Sequence, residues 1–175
     1  MDFNVESLPY LFHIEFTDSW THKSKGVFVD PNGTEYRYKD TRGWKPFYEV
    51  NQIDFSEMRN LEPEVPPTIS KTAIKPEVLF HNLSLCRTKK PFMSWFSKNN
   101  KVILPDEIIK DLMTSAVAIT SNYIIHDARR TTYSLLVYDI ENGCYKQVLL
   151  SSTDYRGTKN SSIYTDSLVA KLARL

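Results

Sequence analysis

The chain has 175 residues, of which 41% are hydrophobic and 25% are charged, a balance typical of a folded protein and not of a disordered one. Its formal net charge of +1 gives the molecule no general attraction for polyanions, so any such attraction must be local. No apolar stretch approaches the roughly 20 residues of a membrane-spanning helix, and the N-terminal segment MDFNVE is acidic where a secretory signal is basic. We therefore expect a soluble, cytoplasmic protein without a transmembrane segment.

The first residues predict β-strands. LFHIEF (11–16) alternates as a strand does, and GVFVDPNGTEYRYK (26–39) predicts a hairpin because its DPNG segment suits a tight turn. In the second half of that hairpin, Tyr36 and Tyr38 alternate with charged residues, which predicts one packed face and one solvated face. The next segment, residues 49–64, carries five acidic residues against one arginine and could form a short helix.

A proline-rich connector follows. Residues 63–76 contain four prolines with little periodicity, which predicts an extended segment. Because the roughly 60 residues before it would be marginal as an independent domain, we expect the connector to lie within one domain spanning residues 1–175. We interpret EVLFHNLSLCR (77–87) as a further strand.

The second half of the chain mixes helix and strand signals. In VILPDEIIKDLMTSAVA (102–118), Pro105 suits a first helical turn, and a long helix is predicted over about residues 105–118. Its buried face would hold Ile108, Ile109, Leu112, Met113 and Ala116.

Strands are then predicted at NYIIHD (122–127), TTYSLLVYD (131–139) and CYKQVLL (144–150), with a reversing turn at Asn142-Gly143. The second of these is apolar on both sides, which is typical of a central strand. Residues 160–162 could cap a C-terminal helix over about residues 161–173, with Ile163, Leu168, Val169 and Leu172 on its buried side. Together these elements predict an α+β fold in which a mostly antiparallel sheet is covered by the long helix and the C-terminal helix.

Motifs for catalysis or cofactor binding are absent from the sequence. It contains no phosphate-binding glycine pattern and no GxSxG turn. The two cysteines, Cys86 and Cys144, are far apart and lack close histidines, so we interpret them as small buried hydrophobic residues and not as zinc ligands.

One group of residues could in principle bind a metal. His13 and Glu15 alternate on a predicted strand, and Asp18 and His22 follow shortly after. The polar side of an amphipathic strand explains His13 and Glu15 equally simply. We therefore expect neither a metal nor a cofactor.

The segment RTKKPFMSWFSKNNK (87–101) combines five basic residues with three aromatic residues and no acidic residue. Phe92, Trp95 and Phe96 have the spacing that brings side chains together on one helical turn. Buried, they would close the core, which is the favoured interpretation; exposed, they would bind a protein partner. Nucleic acid and membrane are disfavoured, because one basic loop offers few phosphate contacts and one turn buries little area. The candidate partner-binding residues are Arg87, Lys89, Lys90, Phe92, Trp95, Phe96 and Lys98.

A second candidate site lies near residue 126. His126 could act as a general base, and Arg129 and Arg130 could hold a phosphate or a carboxylate. A solvated turn between two strands is the simpler interpretation.

These observations favour a non-enzymatic binding protein that acts on another protein. The reasons are the missing catalytic motifs and two segments of opposite charge, −4 at 49–64 and +5 at 87–101, which could steer association. An inhibitor or a toxin-neutralising immunity protein would be one such protein. The alternatives are an enzyme acting on an anionic substrate near His126, Arg129 and Arg130, and a nucleic-acid-binding protein that uses the 87–101 segment.

Overall fold

The structure is a computed structural model that describes residues 3–18, 21, 23–47, 69–90, 104–120, 129–153 and 157–175. In these ranges, nine strands form one antiparallel sheet accompanied by three helices, which confirms the predicted α+β class. The strands are β1 (Tyr10–Asp18), β2 (Lys23–Val29), β3 (Glu35–Tyr38), β4 (Ile69–Ile74), β5 (Arg87–Lys89), β6 (Val117–Ile119), β7 (Arg130–Asp139), β8 (Cys144–Ser152) and β9 (Thr158–Asn160). The helices are α1 (Pro76–Ser84), α2 (Asp106–Thr114) and α3 (Thr165–Leu172).

The strands lie in the order β5-β3-β2-β1-β7-β8-β9-β6, and β4 also pairs with β8. The predicted hairpin is confirmed as β2 and β3, whose turn is held by Asp30: its carboxylate accepts hydrogen bonds from the backbone N–H groups of Asn32 and Thr34, at 2.8 and 2.9 Å. The predicted central strand is also confirmed, because β7 pairs with β1 on one side and β8 on the other. Gly143 adopts a φ of 62° in the β7–β8 turn, which suits a residue without a Cβ atom.

The sheet buries both of its faces, since successive side chains of a strand point to opposite sides. Helices α2 and α3 cover one face, here called the α2–α3 face, and α1 covers the other, called the α1 face. The buried residues of the α2–α3 face include Phe12, Ile14, Val27, Leu135, Val148, Leu112 and Leu168. Those of the α1 face include Leu11, Phe28, Tyr36, Leu136, Tyr145, Leu79 and Leu83. Each fully buried large apolar side chain contributes roughly 1.5–3 kcal/mol, so the two clusters stabilise the sheet from both sides.

The strand predicted at residues 77–87 is wrong, because most of this segment forms helix α1. Pro76 occupies the start of the helix, where its missing N–H costs nothing, and Glu77 in the first turn favours the positive end of the helix dipole. Leu79 and Leu83, one helical turn apart, are both buried against the sheet. This spacing was the signal that the strand interpretation missed.

Helix α2 is shorter than predicted. It ends at Thr114, because Ser115 has an extended backbone and β6 begins at Val117. The predicted buried face holds within the helix, where Leu112 is buried and Ile108, Ile109 and Met113 pack against the core. Ala116 lies beyond the helix and is exposed.

Helix α3 begins later than predicted, at Thr165. The Ser162 hydroxyl accepts a hydrogen bond from the backbone N–H of Tyr164 at 3.2 Å, within a turn that precedes the helix. Leu168 and Leu172 are buried as predicted, whereas Ile163 is 84% exposed because it lies in this turn and not on the helix.

Part of the predicted connector is strand β4, in which Ile74 lies opposite Tyr145 of β8. Residues 63–68, the short helix considered at 49–64 and the strand predicted at 122–127 lie outside the described residues. None of the described helices, which have at most nine residues, is long and apolar enough to cross a bilayer.

Asn82 provides a first test of how the α1 face is assembled. Asn82 is fully buried, and its side-chain amide forms two hydrogen bonds with the backbone of Lys45. The Lys45 N–H donates to Oδ1 at 2.8 Å, and Nδ2 donates to the Lys45 carbonyl at 2.9 Å. We expect Asn82→Asp to lower the free energy of unfolding by about 2 kcal/mol, because a buried carboxylate at this position cannot donate to the Lys45 carbonyl.

Urea denaturation monitored by circular dichroism would measure this change. Ser84→Ala, at an exposed position on the same helix, should change the free energy of unfolding by less than about 0.5 kcal/mol. Equal unfolding midpoints for Asn82→Asp and the parent protein would contradict the prediction.

Candidate functional site

The described part of the predicted partner-binding segment is an exposed edge strand. Arg87 and Lys89 lie on β5 and Lys90 follows it, and all three are exposed. Strand β5 is the first strand in the order of the sheet and pairs with β3. Phe92, Trp95, Phe96 and Lys98 lie outside the described residues, so their role stays a prediction.

The register of β3 and β5 decides which way the basic side chains point. Arg87 lies opposite Arg37 of β3, and Arg37 lies opposite Val27 of β2. Directly opposite residues of neighbouring strands share a face, and Val27 belongs to the core of the α2–α3 face. Arg37 and Arg87 therefore lie on the α2–α3 face, as does Lys89, two residues further along β5.

Lys25 extends this arrangement onto β2. It is exposed and lies two residues before Val27, which places it on the same face. Its Nζ atom is 5.8 Å from the ring centroid of Phe16, an aromatic residue that is 40% exposed on β1. Lys25, Arg37, Arg87 and Lys89, here called the basic row, lie on the same face of three neighbouring strands. Arg37 and Arg87 are directly opposite each other, whereas Lys25 and Lys89 are displaced along their strands in opposite directions.

Within the part of the chain that the structure describes, the carboxylate of Glu35 lies beside the basic row. Glu35 lies opposite Lys89, but its buried carboxylate pairs with Arg37, whose guanidinium Nη2 is 2.6 Å from Oε2. Arg37 also donates to the main-chain oxygen of Leu175 at 3.2 Å, which fixes its orientation. Within the part of the chain that the structure describes, no ion pair is seen for Arg87 or Lys89. Both residues are exposed.

Lys25 and Arg37 were missed by sequence reasoning. Arg37 and Arg87 are 50 positions apart in the sequence, and only the pairing of β3 with β5 brings them together. The alternation of charged residues with Tyr36 and Tyr38 was a partial signal, because it placed Arg37 on the side of β3 opposite to the two tyrosines.

The second predicted site is described only in part. Arg129 and Arg130 are exposed, and Arg130 opens β7 opposite Thr17. His126 lies outside the described residues. The combination of these three residues in an anionic site stays a prediction.

The residues considered for a metal form a different arrangement. His13 is 5% exposed, its ring stacks on Phe28 with centroids 4.1 Å apart, and its Nε2 is 3.0 Å from the Tyr38 hydroxyl. Glu15 accepts a hydrogen bond from the Ser24 hydroxyl at 2.5 Å. No group of three or more histidine, cysteine, aspartate or glutamate side chains in the described ranges could hold a metal ion, and His22 lies outside them. His13 was expected on a polar strand face, but it is part of an aromatic core.

Burial determines the ionisation of His13 and Tyr38. Loss of solvation lowers the pKa of His13 from 6.5 to about 4, although the charge of Glu15 acts in the opposite direction. Loss of solvation, followed by the charge of Glu15, raises the pKa of Tyr38 well above its ordinary value. Both groups are therefore neutral at neutral pH. The pair stabilises the α1 face, and its burial does not favour a catalytic role.

Burial raises the pKa of the Cys86 thiol to about 11, which leaves little thiolate at neutral pH. Both cysteines are free, Cys144 being buried and Cys86 half-buried, which agrees with their interpretation as small hydrophobic residues.

Comparisons of the chain with protein-family models, with curated proteins and with solved structures found no match in any of the three. The function is therefore inferred from the residues and their geometry alone.

Proposed function

We propose that the chain is a non-enzymatic protein that binds another protein through the basic row and strand β5. The observation that carries the proposal is the exposed pair Arg87 and Lys89, which project from an edge strand and have no ion-pair partner among the described residues. Exposed charges without local partners increase the association rate and select partners by charge. An inhibitor or a toxin-neutralising immunity protein would use a surface of this kind.

Single charge reversals test the proposal. The immobilised parent protein and its Arg87→Glu, Lys89→Glu and Lys110→Glu variants would be exposed to the same cell extract, and the captured proteins would be identified by mass spectrometry. Lys110 is the matched control, because it is exposed on α2, which packs against β8 far from β5 in the strand order. All three substitutions change the net charge equally.

A specific partner should be captured by the parent protein and by Lys110→Glu, and its binding should weaken at least about tenfold in Arg87→Glu and Lys89→Glu. Titration calorimetry with the purified partner would measure the change. A partner that binds all four proteins with equal affinity would show that the basic row is not the contact surface. If no partner depends on either residue, the proposed function is wrong.

A second candidate function is binding of single-stranded nucleic acid. It is supported by Phe16, whose partly exposed ring lies beside Lys25 and could stack on a base while the basic row contacts phosphates. Affinity for an oligothymidylate that falls steeply with salt, and that is lost in Phe16→Ala, would favour this candidate. Enzymatic action near His126, Arg129 and Arg130 gains no such support from the described residues.

A further inference from the structure

Among the described residues, strand β5 forms one edge of the sheet. On its inner side it pairs with β3 from Arg87 to Lys89, and no described strand lies on its outer side. An edge strand has main-chain N–H and C=O groups directed outward, and these can pair with an extended segment of another chain.

We propose that the partner contributes an acidic, extended segment that pairs with β5 as an additional strand of the sheet. This inference rests on the proposed function, because it specifies the partner that the basic row and β5 would bind. Main-chain hydrogen bonds would supply part of the affinity, and the charges of the basic row would select the sequence of the segment.

The spacing of the basic side chains specifies where the acidic residues of the partner must lie. Arg87 and Lys89 point to the same face and are about 7 Å apart along β5. Residues of an added strand that lie directly opposite would have Cβ atoms about 5 Å away, and they would alternate in the same way. Acidic residues should therefore occupy every second position of the partner segment.

Thr88 determines which residue of the partner fits between the two acidic positions. It lies opposite Tyr36, a residue of the α1 face, and is itself exposed. An intervening residue of the partner would lie beside this uncharged side chain, so a β-branched residue such as threonine fits there better than a second acid.

The charge balance supports an acidic partner. Lys25, Arg37, Arg87 and Lys89 carry four positive charges, and within the described ranges the carboxylate that forms an ion pair with one of them is that of Glu35. That carboxylate is only 8% exposed and pairs with Arg37, so it does not neutralise Arg87 or Lys89. An acidic strand beside β5 would thus lie next to the positive charges of Arg87 and Lys89.

Two other interpretations of the same surface predict different results. Lysine and arginine on an edge strand also prevent two copies of a protein from pairing edge to edge. A row of positive charge on a sheet also attracts nucleic acid phosphates without regard to strand pairing. The experiment must therefore distinguish strand addition from edge protection and from simple charge attraction.

Fluorescein-labelled peptides of equal composition would distinguish strand addition from edge protection and from charge attraction. One peptide alternates threonine and glutamate, and its isomer has the same residues with the glutamates in one block. A third peptide is the alternating one with methyl groups on its backbone nitrogens, which removes the main-chain donors. Binding to the full-length protein would be followed by fluorescence anisotropy at low and at physiological salt, beside an oligothymidylate probe.

The alternating peptide should bind at least about tenfold more tightly than the blocked isomer, and backbone methylation should abolish that advantage. Arg87→Glu and Lys89→Glu should lose the binding, whereas Lys110→Glu should keep it. Equal binding of the two isomers would overturn strand addition. The proposed function would nevertheless stand if a captured protein partner still depended on Arg87 and Lys89.

Two further results would also overturn the inference. The first is tighter binding of the oligothymidylate than of any peptide, which would show that the surface binds nucleic acid. The second is absence of peptide binding together with self-association of the Arg87→Ser/Lys89→Ser variant in analytical ultracentrifugation. That result would show that the two basic residues only protect the edge.

Discussion

Gly26→Ala is expected to lower the free energy of unfolding by about 3 kcal/mol or more, although it adds only one methyl group. A Cβ atom at this position of β2 would lie 2.6 Å from the Tyr38 hydroxyl oxygen and would overlap the backbone carbonyl oxygen of Ile14. Neither neighbour can move away easily. Ile14 is within strand β1, which is paired on both sides, and the Tyr38 hydroxyl is hydrogen-bonded to His13. Overpacking of this kind forces the backbone to move.

The reason for this glycine lies in the sheet. Tyr38 lies directly opposite Gly26 on β3, and its hydroxyl reaches past β2 to His13 on β1. A glycine leaves the space that the tyrosine ring occupies. Thermal or urea denaturation would measure the loss, and recovery of little folded protein would agree with it.

Gly143→Ala is the appropriate control. Gly143 has a φ of 62° but no atom within 4 Å of an added Cβ, so alanine there should cost only about 1–2 kcal/mol through backbone strain. A loss at Gly26 no greater than that at Gly143 would show that the crowding around β2 relaxes at little cost.

Acidification is expected to lower the free energy of unfolding by about 3 kcal/mol between pH 7 and pH 4 through His13 alone. Its pKa in the folded protein is about 4, below its ordinary value of 6.5, so the unfolded chain takes up a proton in this range before the folded protein does. Stability is therefore greatest above about pH 6.5 and falls as the pH decreases towards 4. A difference of 2.5 pKa units corresponds to about 3 kcal/mol.

His13→Gln removes the titrating group while keeping a side-chain amide that can bond the Tyr38 hydroxyl. The measured quantity is the difference in the free energy of unfolding between pH 7 and pH 4 for each protein, so any loss common to both pH values cancels. The variant should show about 3 kcal/mol less pH dependence than the parent protein. An identical loss on acidification in the two proteins would contradict the assignment to His13.

Asp139 should contribute to the pH dependence of stability at a lower pH than His13. A hydrogen bond from Lys146 lowers the pKa of its carboxyl to about 2, below the ordinary value of 3.8. Its stabilising effect is present above about pH 4 and is lost as the pH falls towards 2. Asp139 and His13 therefore act in separate pH ranges.

Much of the fold could be predicted because local patterns agreed with the tertiary structure. The alternation in residues 131–139 predicted a strand buried on both sides, and β7 has Leu135 in one core and Leu136 in the other. The turn residues at 30–33 and 142–143 predicted the two hairpins correctly. These elements depend on side-chain periodicity and turn chemistry, which a single sequence displays directly.

The errors occurred where a local pattern was ambiguous. The segment EVLFHNLSLCR is apolar at positions that fit either a strand or a helix, and the helix was selected by Pro76 at its start and by the packing of Leu79 and Leu83 on the sheet. Helix α2 ends early because Val117 joins a strand that pairs with Asn160 of β9. Such pairings involve residues far apart in the chain, and local propensity does not encode them.

The sequence by itself determined the α+β class, the two hairpins and the basic character of residues 87–90. Only the tertiary structure decided that Arg87 and Lys89 share one face of the sheet with Arg37 and Lys25, and that His13 is enclosed by Phe28 and Tyr38. The physical reason is that strand register is fixed by the burial of both sheet faces together, and each face is built from segments distant in sequence. The candidate site is a product of that register.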